Sequence, residues 1–240
     1  TNKHVPGTLL YISYPLLLLA AIVGFALIGK IPEKLAITFA NSMMFLASIV
    51  HCLSLSQFLN YRGRGFKFVC LFTAASALLL VYFTFFQPSM RSRVYISDFQ
   101  HIVEAAFLLF VFFKYARKPY PNASIVYIII LTLVAASFIT RTIFMDRVAQ
   151  QDAILNPWFD SLLFLNSVIA PMFYAAGMAL LCNERRELRL NKLTEKAHKD
   201  LEIRGLFLST ISHEIRTPLN GILGSAQLVL NQTSDSRNKA

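Results

Sequence analysis

Six long apolar runs restrict what this chain can fold into. They lie at about residues 8–29, 35–59, 66–87, 98–117, 123–144 and 157–182, each bounded by charged residues, proline or both. Each approaches or exceeds the roughly 20 mainly apolar residues that a helix needs to cross a bilayer. Inside a bilayer the backbone N–H and C=O groups must be satisfied within the protein, which a helix achieves locally. The sequence therefore predicts an all-α fold built on six membrane-spanning helices.

The charged residues are distributed unevenly along the chain. Hydrophobic residues make up 55% of the 240 residues and concentrate before Leu181, whereas charges concentrate after Cys182. The net charge of +10 includes many basic residues in short loops between the apolar runs. Membrane topology explains such loops better than nucleic-acid binding does, so no nucleic-acid partner is expected. The three cysteines form no C-x-x-C pair, and we predict neither a disulfide framework nor a metal site.

Loop charge predicts the orientation of the bundle. Two loops are strongly basic, and they contain Arg62, Arg64 and Lys67 in one case and Lys114, Arg117 and Lys118 in the other. Two apolar runs separate these loops, so both loops fall on the same side, which the positive-inside rule makes cytoplasmic. Six spans then place the N- and C-termini in the cytoplasm. The loop with Arg91 and Arg93 does not fit this pattern, because it places positive charge outside.

The residues after the last run have the pattern of a coiled coil. Residues 184–200 are charged, lack Pro and Gly, and are good helix formers. Apolar a and d positions are separated by a four-residue stutter between Ala197 and Leu201. The seam positions are Leu190, Leu193, Ala197, Leu201, Arg204, Leu208, Ile211 and Ile215. A heptad seam needs a partner to be buried, so the pattern predicts a parallel homodimer.

An exposed histidine follows on the same helix. His213 falls at the f position of the second register and points into solvent, and Glu214 follows it directly. A neighbouring carboxylate can hold one imidazole tautomer and accept its proton while the other nitrogen attacks an electrophile. Pro218 interrupts the helical pattern five residues later, where proline costs roughly 3 kcal/mol. Local strain of this kind is tolerated mostly at working sites.

The segment FLSTISHEIRTPLNGI, residues 207–222, resembles the phosphoacceptor box of sensor histidine kinases, especially the hybrid kinases of Gram-negative bacteria. The resemblance covers about residues 201–230, the first helix of the dimerisation and phosphotransfer hairpin. It implies that His213 takes the γ-phosphoryl group of ATP on Nε2 and that Glu214 is the general base. It also implies that Thr217 positions a water for dephosphorylating the response regulator, and that Pro218 bends the helix.

The resemblance further implies three domains: a transmembrane sensor at 1–182, a signalling linker at 183–207, and the first part of a phosphotransfer domain at 208–240. The ATP-binding domain of the family is missing from this sequence. No cofactor is therefore expected in this chain, whereas ATP and Mg²⁺ belong to the missing domain. The expected location is the bacterial inner membrane, and the expected partner is a response regulator, receiver domain or phosphotransfer protein.

Polar residues within the apolar runs are candidates for a ligand site, because they are costly in a bilayer and usually face the bundle interior. The predicted topology places several of them in the outer half, namely Asn41, Thr84, His101, Glu104, Arg141 and Asp160. Trp158 either lines the same pocket or belongs to an interfacial aromatic belt. The alternative to a pocket is a structural ion pair between Glu104 and Arg141, with hydrogen bonds between helices.

Short loops leave little room for an extracellular ligand domain, so a stimulus would be detected within the bundle. The architecture is similar to that of the multi-span quorum-sensing kinases of the LuxN and CqsS kind, which implies a small amphipathic ligand. Two alternatives stay open. One is a six-span transporter or channel that uses Glu104, His101 and His51 as an ion path. The other is a kinase that senses membrane state or an ion.

Overall fold

The computed structural model describes residues 7–147 and 165–237 and confirms the predicted all-α fold. These residues hold six α-helices, α1 (Thr8–Ala26), α2 (Glu33–Phe58), α3 (Gly65–Phe85), α4 (Met90–Val111), α5 (Pro121–Arg147) and α6 (Ala170–Arg237). Two π-helical turns adjoin them, Phe112–Ala116 after α4 and Leu165–Ile169 before α6. Within the described residues, then, every regular element is helical.

Five segments within the described residues are long and apolar enough to cross a membrane. They are Thr8–Ala26, Glu33–Phe58, Gly65–Phe85, Met90–Ala116 and Pro121–Met145. Five of the six predicted spans are thereby confirmed. The predicted sixth span, 157–182, lies partly outside the described residues, and its described part is helical from residue 165 onward. Leu71, Leu78 and Phe86 are among the large apolar side chains left exposed on the bundle, as expected where a helix faces lipid.

The fourth span begins earlier than its apolar run. We predicted a start near residue 98, but α4 begins at Met90 because the Ser89 side chain accepts a hydrogen bond from the Ser92 amide at 3.2 Å. This is an N-cap, which satisfies one of the free amides of the first turn. Arg91 therefore belongs to the first turn of α4, and its Nη2 donates to the carbonyl oxygen of Met145 on α5 at 3.3 Å.

The helices divide the described residues into two units whose boundary falls between Glu184 and Arg185. In the first unit, α1 packs along α2, and α2, α3, α4 and α5 pack in succession. One face of α6 is buried in this unit, through Ala170, Tyr174, Met178 and Leu181. The spacing of four, four and three residues is that of a single helical stripe.

A carboxylate joins α6 to the beginning of α5. The Glu184 oxygens accept hydrogen bonds from the amides of Asn122 at 2.9 Å and Ala123 at 3.4 Å. The first amides of a helix have no partner within the helix, and the helix dipole favours a negative charge there. Glu184 therefore lies at the same end of the bundle as the basic loop that contains Lys118.

The second unit begins at Arg185 and is described as helix as far as Arg237. Its predicted seam residues Leu190, Leu193, Leu201 and Leu208 are all exposed in the single chain. The predicted homodimer stays a prediction.

Close packing of α1 against α2 depends on a glycine, which generates a prediction. A Cβ atom on Gly24 would lie 2.8 Å from Cδ1 of Phe39 and 3.0 Å from Cβ of Ala40. We expect Gly24→Leu to destabilise the bundle by about 1–3 kcal/mol through overpacking. Thermal unfolding in detergent measures the effect. Ala26→Leu, at an exposed position of the same helix, is the control and should melt near the wild type. Equal melting of the two variants would contradict the packing.

Candidate functional site

His213 lies on an exposed part of α6. His213, Glu214 and Thr217 are all exposed, so the imidazole has the solvent access that attack on an external phosphoryl donor requires. The structure thus places the three predicted catalytic residues on one helix, within two turns. Their roles in phosphoryl transfer stay predictions.

The turn that follows His213 has unusual hydrogen bonding. Pro218 lies inside α6 and has no N–H to donate to the carbonyl four residues earlier, that of Glu214. The Thr217 hydroxyl instead donates to the carbonyl oxygen of His213 at 3.2 Å. Back-bonding of this kind slightly destabilises a helix. The helix is therefore weakened within one turn of the predicted phosphoacceptor.

A second group of polar residues lies inside the bundle and centres on Glu104. Its Oε1 is 3.0 Å from Nδ1 of His51 on α2, and its Oε2 is 3.3 Å from Nδ1 of His101 on α4. The Ser48 hydroxyl donates to Oε2 as well. His51 is 1% exposed and Glu104 9%. Such a buried carboxylate is stabilised only by hydrogen bonds and charge from its neighbours. We call Ser48, His51, His101 and Glu104 the Glu104 cluster.

Arg141 belongs to a separate pair. Its guanidinium donates to both carboxylate oxygens of Asp98, with Nε at 3.2 Å from Oδ2. The Thr142 hydroxyl also donates to Oδ2 of Asp98, at 3.1 Å. The ion pair between Glu104 and Arg141 considered from the sequence is therefore replaced by one between Asp98 and Arg141. The bidentate geometry is the strongest that a guanidinium and a carboxylate form.

A small cavity of about 50 Å³ lies beside the Glu104 cluster. Residues from α1, α2, α4, α5, α6 and the π-helical turn before α6 line it, including Tyr14, Ser48, His101, Glu104, Arg141 and Asn166. Among the described residues, Nε2 of His101 and Nδ2 of Asn166 are buried and find no hydrogen-bond partner. Buried polar atoms are nearly always hydrogen-bonded, so these two mark a place where a polar group fits.

A larger cavity of about 280 Å³ lies toward the end of the bundle where α1 ends and α2 and α4 begin. Its lining is mostly apolar and includes Phe25, Ile28, Ile37, Met44 and Val94, with Asn41 and Arg93 among the polar residues. Met44 and Arg141 line both cavities. The two spaces are therefore adjacent, and each combines mainly apolar walls with a few polar side chains.

The remaining predicted ligand residues have different positions. Thr84 is buried, and its hydroxyl donates to the carbonyl of Leu80 in its own helix at 2.7 Å, so it serves α3 rather than either cavity. The Asn41 amide likewise donates to the carbonyl of Ile37, at 2.8 Å, while it lines the larger cavity. Trp158 and Asp160 lie outside the described residues.

Sequence reasoning missed Asp98 and the aromatic residues around the Glu104 cluster. Asp98 precedes His101 by three residues and Glu104 by six, a spacing that places all three near one helical face. This signal was available in the sequence. The His51 ring stacks on Tyr14, with centroids 4.5 Å apart, and packs against Tyr174 at 4.8 Å. No sequence spacing links these three residues, which come from three helices.

The buried pair allows a stability prediction. We expect Arg141→Met to destabilise the bundle by about 3–5 kcal/mol, because it leaves the Asp98 carboxylate buried without its cation. The double variant Asp98→Leu with Arg141→Met should recover much of that loss. The control is Lys199→Met, which breaks the exposed pair of Lys199 with Glu195 and should cost no more than about 1 kcal/mol. Thermal unfolding in detergent compares them, and a double variant less stable than Arg141→Met would contradict the pairing.

Comparison with known proteins identifies the C-terminal segment. Residues 203–240 match the His Kinase A (phospho-acceptor) domain. The chain is 46% identical over 52 residues to the autoinducer 2 sensor kinase/phosphatase LuxQ of Vibrio vulnificus, a match that covers 22% of the chain and 6% of LuxQ. It is 43% identical over 56 residues to the sensor histidine kinase AruS of Pseudomonas aeruginosa, covering 23% and 6% of the two sequences.

A third relative is the aerobic respiration control sensor protein ArcB homologue of Haemophilus influenzae. It is 45% identical over 47 residues, covering 20% of the chain and 14% of the relative. No solved structure matches the chain. The matched residues include the predicted phosphoacceptor box, and the described part of the first unit holds five helices able to span a membrane. The C-terminal segment is thus similar to the phospho-acceptor domain of sensor histidine kinases of two-component signalling, and the chain spans only a small part of the length of the relatives it matches.

Proposed function

We propose that this chain is the receptor portion of a sensor histidine kinase that detects a small amphipathic molecule in its membrane bundle. In the full-length protein, the bound signal controls ATP-dependent phosphorylation of His213 and the relay of the phosphoryl group to a receiver domain or phosphotransfer protein. The observation that carries the kinase part is an exposed histidine within a matched phospho-acceptor domain. ATP and Mg²⁺ come from a kinase domain outside this chain.

The adjacent cavities support the amphipathic signal. A polar head group fits the smaller cavity, where His101 and Asn166 each have a nitrogen without a hydrogen-bond partner among the described residues. An apolar tail fits the larger cavity, whose walls are mostly aliphatic and aromatic. A site with a mainly apolar lining and a few placed polar groups is typical of small-molecule recognition. Quorum sensing is one use of such a site, since LuxQ is by name an autoinducer sensor.

The placement of the charges supports an inner-membrane protein with cytoplasmic termini. Glu184 contacts the beginning of α5, so the last part of the first unit lies at the end of the bundle that carries Lys114, Arg117 and Lys118. The loop with Arg62 and Arg64 lies at this end too, because two helices separate it from the other basic loop. A basic end is the cytoplasmic one under the positive-inside rule. His213, which follows on the same helix, is then available to a cytoplasmic kinase domain.

The exposed seam of the second unit supports a homodimer. Leu190, Leu193, Leu201 and Leu208 leave an apolar stripe uncovered along α6. A second copy of the chain covers this stripe in a parallel coiled coil, because the a and d positions of the two copies then face each other. The dimer gives the bundle a route to the phosphoacceptor, and the stutter after Ala197 allows two packings of the seam.

Phosphorylation is tested in membranes that contain the full-length protein, incubated with radiolabelled ATP and Mg²⁺. We expect an acid-labile, alkali-stable label on the wild type and none on His213→Gln. The matched control is His198→Gln, another exposed histidine of α6, which should label like the wild type. Label that survives His213→Gln would contradict the assignment of the phosphoacceptor.

Signal binding is tested by filling the space between the cavities. Lipid extracts of bacterial cultures should raise the melting temperature of the purified protein. We expect Met44→Trp, at a residue that lines both cavities, to abolish this shift because the indole occupies the site. Leu46→Trp adds the same bulk at an exposed position of α2 and should keep the shift. No shift with any extract, or equal shifts in both variants, would count against the pocket.

A further inference from the structure

The Glu104 cluster reaches α6 through a ring contact. The His51 ring packs against Tyr14 of α1 and Tyr174 of α6, with centroid distances of 4.5 Å and 4.8 Å, and the two tyrosine rings lie 6.3 Å from each other. Nδ1 of His51 is 3.0 Å from Oε1 of Glu104. His51 therefore connects the carboxylate on α4 to a ring on the helix that later carries His213. All three residues are buried, so none of them moves without displacing its neighbours.

Tyr174 also contacts α5. The Tyr127 hydroxyl on α5 donates to the main-chain carbonyl of Tyr174 at 3.0 Å. The Tyr127 ring lies so close to Gly177 that a Cβ atom there would be 2.8 Å from Cε2 of Tyr127. Below it, Tyr127 stacks on Phe112 with centroids 4.4 Å apart. One turn of α6 is thus clamped between His51 and Tyr127.

Two π-helical turns lie near this clamp. Phe112 begins the turn Phe112–Ala116, and the turn Leu165–Ile169 directly precedes the part of α6 that contains Tyr174. A π-helical turn changes the register of a helix locally and occurs frequently at functional sites. α6 therefore has a point, just before Tyr174, at which its register can change.

The Glu104 cluster has capacity for a new partner. His101 lines the small cavity, and within the described residues its Nε2 is buried without a hydrogen-bond partner, as is Nε2 of His51. The hydrogen bond made by one imidazole nitrogen influences which of the two nitrogens carries the proton. A group that binds Nε2 of His101 therefore changes the hydrogen bond between Nδ1 of His101 and Glu104. Glu104 also holds His51, so the change reaches His51 through a hydrogen-bonded network.

We infer that Tyr174 is the positioning residue through which the Glu104 cluster sets the position of α6 and thereby the phosphorylation of His213. This inference rests on the proposed function and names how the site regulates it. A group bound in the small cavity rearranges the hydrogen bonds of Glu104 and His51. The His51 ring then shifts against Tyr174. The contacts of Tyr127 with α6 restrict α6 to a few positions. Such coupling requires that the free-energy difference between the positions of α6 changes when the hydrogen bonds of the Glu104 cluster change.

The test is a double-mutant cycle on His213 labelling in the full-length protein, and it needs no identified ligand. Glu104→Gln perturbs the cluster and should change the level of phosphorylated His213 by about fivefold or more, the range of ordinary allosteric coupling. In a Tyr174→Leu background the same substitution should change labelling by less than about twofold, since the ring contact is gone. Ser48→Ala, which removes one donor to Glu104, is the milder perturbation if Glu104→Gln does not fold.

Two controls separate positioning from general stability. Tyr174→Phe keeps the ring and should keep the full effect of Glu104→Gln. Phe45→Leu shortens another buried aromatic side chain of α2 and should keep it as well, even where its melting temperature falls as far as that of Tyr174→Leu. An equal effect of Glu104→Gln with and without the Tyr174 ring would overturn the inference.

The outcomes also separate this inference from the proposed function. If neither Glu104→Gln nor Ser48→Ala changes labelling in any background while His213 is labelled normally, the coupling is wrong and the kinase assignment stands. If the wild type carries no label on His213, the proposed function fails, and the inference fails with it.

Discussion

A charged side chain inside a membrane bundle is stable only when groups from other helices neutralise or hydrogen-bond it, and this constraint arranges the first unit. This constraint applies to two buried carboxylates of α4. Asp98 takes the guanidinium of Arg141 from α5, and Glu104 takes imidazole and hydroxyl groups from α2 as well as from its own helix. These contacts fix how α2 and α5 are rotated about α4, since a small rotation would leave a buried charge uncompensated. Exposed positions of the bundle carry no such requirement, and many of them, such as Leu71, Leu78 and Phe86, are apolar.

The same constraint explains why the site is suited to sensing. A network that must stay satisfied responds to any new polar group near it by exchanging partners. The Glu104 cluster borders a cavity, and two of its imidazole nitrogens are unpartnered among the described residues. The hydrogen bonds of the cluster therefore hold the helices in orientation, and its unpartnered nitrogens can bind another polar group. Tyr174 connects this group of residues to the helix whose later part carries His213.

Much of the architecture could be predicted from the sequence, because it depends on local patterns. Apolar run length located five of the helices, and the residues around His213 identified the phosphoacceptor box. The start of α4 was misplaced because Arg91 and Arg93 suggested a loop, whereas the Ser89 cap extends the helix to Met90. The partner of Arg141 was not predictable, since it depends on helix rotation and not on spacing. The π-helical turns have no periodicity signal at all, and they adjoin the contacts around Tyr174.

The cap on α5 has a consequence for which positions tolerate change. Glu184 binds the main-chain amides of Asn122 and Ala123, not their side chains. Almost any residue except proline supplies such an amide, so the contact does not restrict the side chain at the exposed position 122, whereas the buried Ala123 is restricted by packing. Position 184 has no such freedom, because only an acceptor of the right length reaches both amides. Among these three positions, the contact between the two helices therefore restricts the side chain at position 184 alone.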